Sequence, residues 1–134
     1  MAKIVFWVDE VKRTVDPKLF SEKAEILSKK LAEECGTNPK KPNKRTQIRR
    51  FYDEVVRLDI ASKNPKADWD AVLPLLHMLI AKAAYAKGRD LVSDTFVEFI
   101  RSSIEQVKHR KDLGVFASFF EAFMGFYKAD CPVK

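Results

Sequence analysis

The amino-acid sequence predicts an all-α fold, a compact bundle of about five helices with a short N-terminal extension. Three observations carry this. Apolar residues recur at three- and four-residue steps in one segment after another. No segment beyond the N-terminus shows two-residue alternation. The breaks between segments are short and marked by proline, glycine or asparagine. The 134 residues suffice for one domain with a core, spanning 1–134, and are too few for two ordinary ones. A hydrophobic fraction of 46% against 33% charged is that of a soluble globular chain, and 4 glycines and 6 prolines leave little room for low-complexity sequence.

Residues 1–15 read as an N-terminal arm, extended or swapped, in which the apolar run Ile4 to Val8 is either a strand or an arm. Asp16-Pro17 then reads as a helix start, Asp capping free amides and Pro fitting the first helical position. Phe20, Ala24, Leu27 and Leu31 follow on one face, and Gly36 is placed for a left-handed cap. After a basic loop over 37–45, a second helix capped by Asn43 or Thr46 turns Ile48, Phe51, Tyr52, Val55 and Leu58 inward, until Asn64-Pro65 breaks it. The third helix, from Asp68 to Lys87, is apolar over a wide arc including Val72, Leu76, Leu79, Ala83 and Ala84. Such a helix is expected at the centre of its bundle. Pro74 kinks it or marks its first turn, and Gly88 stops it. The fourth, Leu91 to Lys108, buries Val92, Phe96, Phe99, Ile100, Ile104 and Val107. The fifth starts near Asp112 and carries Leu113, Phe116, Phe119, Phe120, Phe123, Phe126 and Tyr127.

Few residues offer catalysis. His77 reads as a core or edge histidine beside the third helix's apolar arc, and His109 as a solvated residue among cations. Cys35 and Cys131 make neither a disulfide framework nor a metal pattern, Cys35 ending an apolar stripe and Cys131 lying near a frayed end. There is no glycine-rich phosphate loop, serine-nucleophile motif or zinc spacing. The expectation is a non-enzyme with no cofactor and no metal. No apolar stretch approaches the roughly 18 residues of a membrane span, and the start lacks the pattern of a signal peptide. A cytoplasmic protein without a membrane partner is expected.

The charge points elsewhere. A net +6 favours a polyanionic partner, since phosphates attract Lys and Arg before any specific contact forms. Lys40, Lys41, Lys44, Arg45, Arg49, Arg50 and Arg57 face only Asp53 and Glu54 in that stretch. The alternative is a solvated helix laced by Arg49–Asp53 and Arg50–Glu54 pairs. On the third helix, Met78, Lys82, Tyr85 and Arg89 fall at steps of four, three and four, a surface suited to stacking a base while holding phosphates. Alternatively, Lys82 and Arg89 cover an interhelical groove with their stems. On the fifth helix, Ser118, Ala122 and Gly125 form a small-residue stripe opposite the phenylalanines.

Thr46-Gln47-Ile48-Arg49-Arg50-Phe51-Tyr52 resembles the Thr-x-Ile-Arg-x-Phe-Tyr signature of the small subunit of type III-A CRISPR effector (Csm) complexes. Ala83 to Arg89 is similar to that family's second signature, and Phe119 to Phe123 to its closing helix. Leu19-Phe20 through Leu31 fits its opening helix, so the resemblance runs from Asp16 onward. It implies a non-catalytic subunit stacked in several copies inside the complex, flanking the duplex of guide RNA and target RNA. Cleavage would belong to other subunits. Its partners would be guide RNA, target RNA, other effector subunits and copies of itself. It places RNA contacts on Arg49, Tyr52, Lys82, Tyr85 and Arg89. Arg45 and Arg50 join them from the charge argument alone, and Tyr52 also falls on the apolar side of its helix. The start departs from the family pattern: an exposed apolar arm is expected to exchange between protomers and give a homodimer of the isolated protein. Two rival readings are a helix-turn-helix DNA-binding regulator, with 46–57 as recognition helix, and a helical protein–protein scaffold whose basic surface is incidental.

Overall fold

The computed structural model describes residues 4–131 and 133. Two short antiparallel strands, β1 (Trp7–Asp9) and β2 (Thr14–Val15), are followed by a 3-10 turn (Pro17–Phe20). Then come α1 (Glu22–Thr37), α2 (Arg45–Ser62), α3 (Trp69–Gly88), α4 (Asp94–Glu105) and α5 (Arg110–Asp130). The helical bundle expected from periodicity is the observed class.

The axis of the core is α5, which packs along α1 and α2. Its Phe116, Phe119, Phe120, Phe123 and Tyr127 are fully buried. Phe99 of α4 lies among four of these rings, at centroid distances of 6.1, 5.6, 5.1 and 5.8 Å, three of the four edge-on as aromatic quadrupoles favour. The central position expected of α3 is therefore corrected. α3 packs on α4 and α2, burying Val72, Leu76, Leu79, Ala83 and Ala86, while Ala84 faces out and Leu75, Met78 and Tyr85 stay exposed. Apolar residues on this helix outnumber what two neighbours can cover. Pro74 sits inside it, beyond the first turn.

In the N-terminal arm the strand alternative holds, but its aromatic residues are not left exposed as expected. Its first three residues lie outside the described residues, but the rest folds back on its own bundle. Phe6 is fully buried against Phe116 and Phe119, at 6.3 and 5.9 Å. The Gln106 side chain accepts from the Phe6 N–H at 2.8 Å and donates to the Ile4 carbonyl at 2.7 Å. Arg13, at φ 55°, lies 4.7 Å over the Trp7 ring and 3.5 Å from Asp112. The apolar side expected to be free for exchange is occupied within the chain; Val8 and Val11 remain outside.

Several boundaries move for identifiable reasons. Asp16 does cap, accepting from Lys18 N–H at 3.0 Å, but the turn it caps is a 3-10 turn ending at Phe20. Three residues per turn shift the register, so Leu19 is buried and Phe20 faces out. Gly36 is helical rather than left-handed, and Gly88, the expected stop, is the last residue of α3; among the described residues the positive φ angles fall at Arg13, Lys41, Asn43 and Asp90. Neither Asn43 nor Thr46 caps α2, whose cap position is Lys44. α4 is shorter than expected because Ser93 caps it, accepting from Phe96 N–H at 3.3 Å. α5 begins two residues before Asp112, whose buried carboxylate accepts from the N–H groups of Lys108 and His109 at 2.9 and 3.1 Å. The end is not frayed at Cys131, which is fully buried.

Candidate nucleic-acid interface

The candidate surface is built around α2. Consecutive helical residues point about 100° apart, so Arg49 and Arg50 diverge to opposite flanks of this helix, and each flank is a groove.

On the α3 flank a cavity of about 300 Å³ is lined by Gln47, Arg50 and Glu54 of α2 and by Lys82, Tyr85 and Arg89 from α3 and its end. Its floor is apolar, with Phe51, Leu79 and Ala86 buried beneath it. The Lys82, Tyr85 and Arg89 stripe is intact, because Gly88 stays helical and leaves Arg89 in phase. The Arg89 guanidinium lies 5.9 Å from the Tyr85 ring centroid, and Tyr85 is 69% exposed. A cation beside an open aromatic face fits a base or ribose with its phosphate. Glu54 is the acid in this groove. It is held by Arg57, whose Nε donates at 3.0 Å, not by Arg50 as spacing suggested. That hydrogen bond holds the Glu54 carboxyl below its ordinary range, with the charges of Arg57 and Lys82 adding to it. Arg50, Lys82 and Arg89 thus face an acid whose charge is already engaged by a fourth cation.

On the α5 flank a cavity of about 310 Å³ is lined by Arg45, Thr46, Arg49, Met124 and Lys128. Arg49 approaches Asp53 only to 3.7 Å, with both side chains well exposed, a pair of little energetic weight. Arg45 Nη1 donates to the Lys128 carbonyl at 3.4 Å, while its buried Nε lacks a protein partner. No acidic residue stands in the first turn of α2.

The site residues expected from the sequence therefore separate. Arg50, Lys82, Tyr85 and Arg89 meet in the α3-flank groove; Arg45 and Arg49 line the other. Tyr52 lines neither. Half-buried, it packs against Phe120 at 5.4 Å, and burial, with the Glu121 carboxylate second, pushes its hydroxyl pKa up. Lys128 was missed, since only the packing of α5 on α2 brings it beside Arg45. Leu75, one step before Met78, extends the α3 stripe and was also missed.

Elsewhere, His77 is exposed rather than at a core edge, and His109 is exposed while forming a capping box with Asp112. Cys35 and Cys131 are free and buried; burial first, and the neighbouring Cys131 second, push the Cys35 thiol up to about 11. Among the described residues no cluster of His, Cys, Asp or Glu is placed to hold a metal ion, and no helix is long and apolar enough to cross a membrane.

A family model described as Csm2 Type III-A matches residues 21–132, most of the chain. The strand hairpin and the 3-10 turn precede that match. No curated protein matches the chain, and no solved structure does.

Proposed function

The chain belongs to the Csm2 type III-A family, and is thus a small subunit of the type III-A CRISPR effector complex, a premise from which we propose that it lines the complex as a non-catalytic RNA-holding element. It assembles with other subunits of that complex; its RNA partners in this reading are the guide and target strands.

One observation carries the reading: Arg50, Lys82, Tyr85 and Arg89, from two different helices, converge on a single groove with an apolar floor. Cations at the rim would neutralise phosphates and the tyrosine would offer a face to any base, without reading sequence. This is what a subunit needs if it must accept every guide. Arg45, Arg49 and Lys128 would supply a second phosphate contact on the other flank of α2. Tyr52 acts chiefly by fixing α2 against α5. The regulator reading loses support because the segment joining α1 to α2 spans 38–44, too long for the tight turn of a helix-turn-helix.

The test is titration into labelled single-stranded RNA and duplex DNA of equal length at low and moderate salt. Salt-sensitive, sequence-indifferent binding that favours RNA supports the proposal. A preference for duplex DNA overturns it.

A further inference from the structure

The α3-flank groove lies at the open end of a helical hairpin. The loop over 63–68 ties the end of α2 to the start of α3, but nothing covalent fixes the start of α2 against the end of α3. Gln47, Arg50, Arg89 and Leu91 line the groove at that open end. Its width there depends on whatever else joins the two helices.

Asn43 joins them. It is fully buried, at φ 66°, a left-handed angle that Asn adopts more readily than most residues. Its backbone N–H donates to the Leu91 carbonyl at 3.0 Å, just past the end of α3. Its side-chain oxygen accepts from the Ser93 N–H at 2.8 Å, and its amide nitrogen donates to the Ser93 hydroxyl at 3.0 Å. Its carbonyl accepts from the Tyr127 hydroxyl at 2.5 Å, which brings α5 into the same junction. The Ser93 hydroxyl passes on to Glu34 of α1 at 2.8 Å. Outside this buried knot, Lys40 and Asp90 add an exposed ion pair at 2.9 Å across the same seam.

We propose that Asn43 is a positioning residue of the RNA groove: by tying the start of α2 to the α3–α4 turn it sets the spacing between Arg50 on one wall and Arg89 on the other. It touches no ligand and carries no charge. The inference rests on the RNA-holding reading for its consequence, but not for its geometry.

The test separates the two. Spin labels on Asp53→Cys and Ala81→Cys, exposed positions on α2 and α3, report the distance between the walls without RNA. Asn43→Gly keeps the backbone angle and removes the side-chain ties, and should broaden that distance distribution. It should also weaken RNA binding about three- to tenfold at unchanged net charge, the scale of lost preorganisation. Asp16→Ala is the control, because it costs stability by deleting the cap of the 3-10 turn while touching none of the partners of Asn43. It should leave the distribution narrow. If Asn43→Gly does not fold, Tyr127→Phe, which deletes only the hydroxyl on the Asn43 carbonyl, should broaden the distribution to a smaller extent. A wild-type distribution in the folded variants, or equal broadening by Asp16→Ala, overturns the assignment. Wild-type protein that ignores RNA, with Asn43→Gly still broadening the distance, would instead sink the RNA reading alone.

Discussion

α3 and α5 are the two longest helices, of 20 and 21 residues, and they spend their apolar residues in opposite ways. On α5 the phenylalanines keep to one side and close the core. On α3 apolar residues lie all round, so Leu75, Met78 and Tyr85 stay open to solvent beside Lys82 and Arg89. Burial follows from how narrowly the apolar stripe is focused, not from how many apolar residues a helix has. The broad helix is left with a surplus, and that surplus borders the candidate site.

The most severe way to break this comparison is to truncate one residue on each helix. Phe119→Ala removes a ring packed against Phe6 and Phe99 and should cost about 3–5 kcal/mol. Leu75→Ala, on the open side of α3, should stay within about 0.5 kcal/mol. Urea unfolding monitored by circular dichroism checks both. A comparable loss for Leu75→Ala would show that this face is covered in the folded protein.

The contrast also marks what the sequence could reveal. Residues buried in α2, α4 and α5 were legible because period and chemistry agree there: Ile48, Val55, Phe96, Ile100 and Phe123 sit at core spacings and are buried. On α3 the same reading misled, since a wide apolar arc does not say which part of it a neighbour will cover. The turns were hidden for another reason. Gly36 looked like a left-handed stop, but Lys41, Asn43 and Asp90 take the positive angles. At Asn43 and Asp90 the backbone reverses where side chains reach partners some 50 residues away in sequence. Three of the four α3-flank site residues follow from spacing along one helix. That Arg50 would meet them, and that Lys128 would join Arg45, are facts of packing between helices.

Within the groove, Lys82→Ala combined with Arg89→Ala should lower RNA affinity by on the order of tenfold to a hundredfold and reduce the salt slope by roughly 0.7 for each phosphate no longer neutralised. Stability should hardly change, because both side chains are exposed. Fluorescence anisotropy over a salt series reads the slope; an unchanged slope would place the phosphates elsewhere, with the α5-flank cations as the next candidates. Tyr85→Ala should cost about 1 kcal/mol of binding if the ring stacks on a base, and Tyr85→Phe much less. Equal losses in the two variants would mean that the hydroxyl, not the ring, meets the RNA.

The smallest effect has the opposite sign. Glu54 places a carboxylate among the cations of the α3-flank groove, so Glu54→Gln should strengthen RNA binding, by roughly twofold, the scale of one screened charge near a surface. The loss of its pair with Arg57, whose side chain is 60% exposed, should cost stability no more than about 0.5 kcal/mol. Acidification is not an equivalent experiment. The Glu54 carboxyl is held below its ordinary value, chiefly by the hydrogen bond from Arg57. Its stabilising contribution is therefore present above the ordinary carboxylate range and lost only as pH falls through the lowered value. At mildly acidic pH it remains charged, and RNA affinity should show no rise attributable to this group. A gain in the wild type on mild acidification that Glu54→Gln abolishes would mean that Arg57 does not hold the carboxylate in solution. The groove would then be more acidic at neutral pH than the Glu54–Arg57 pairing implies.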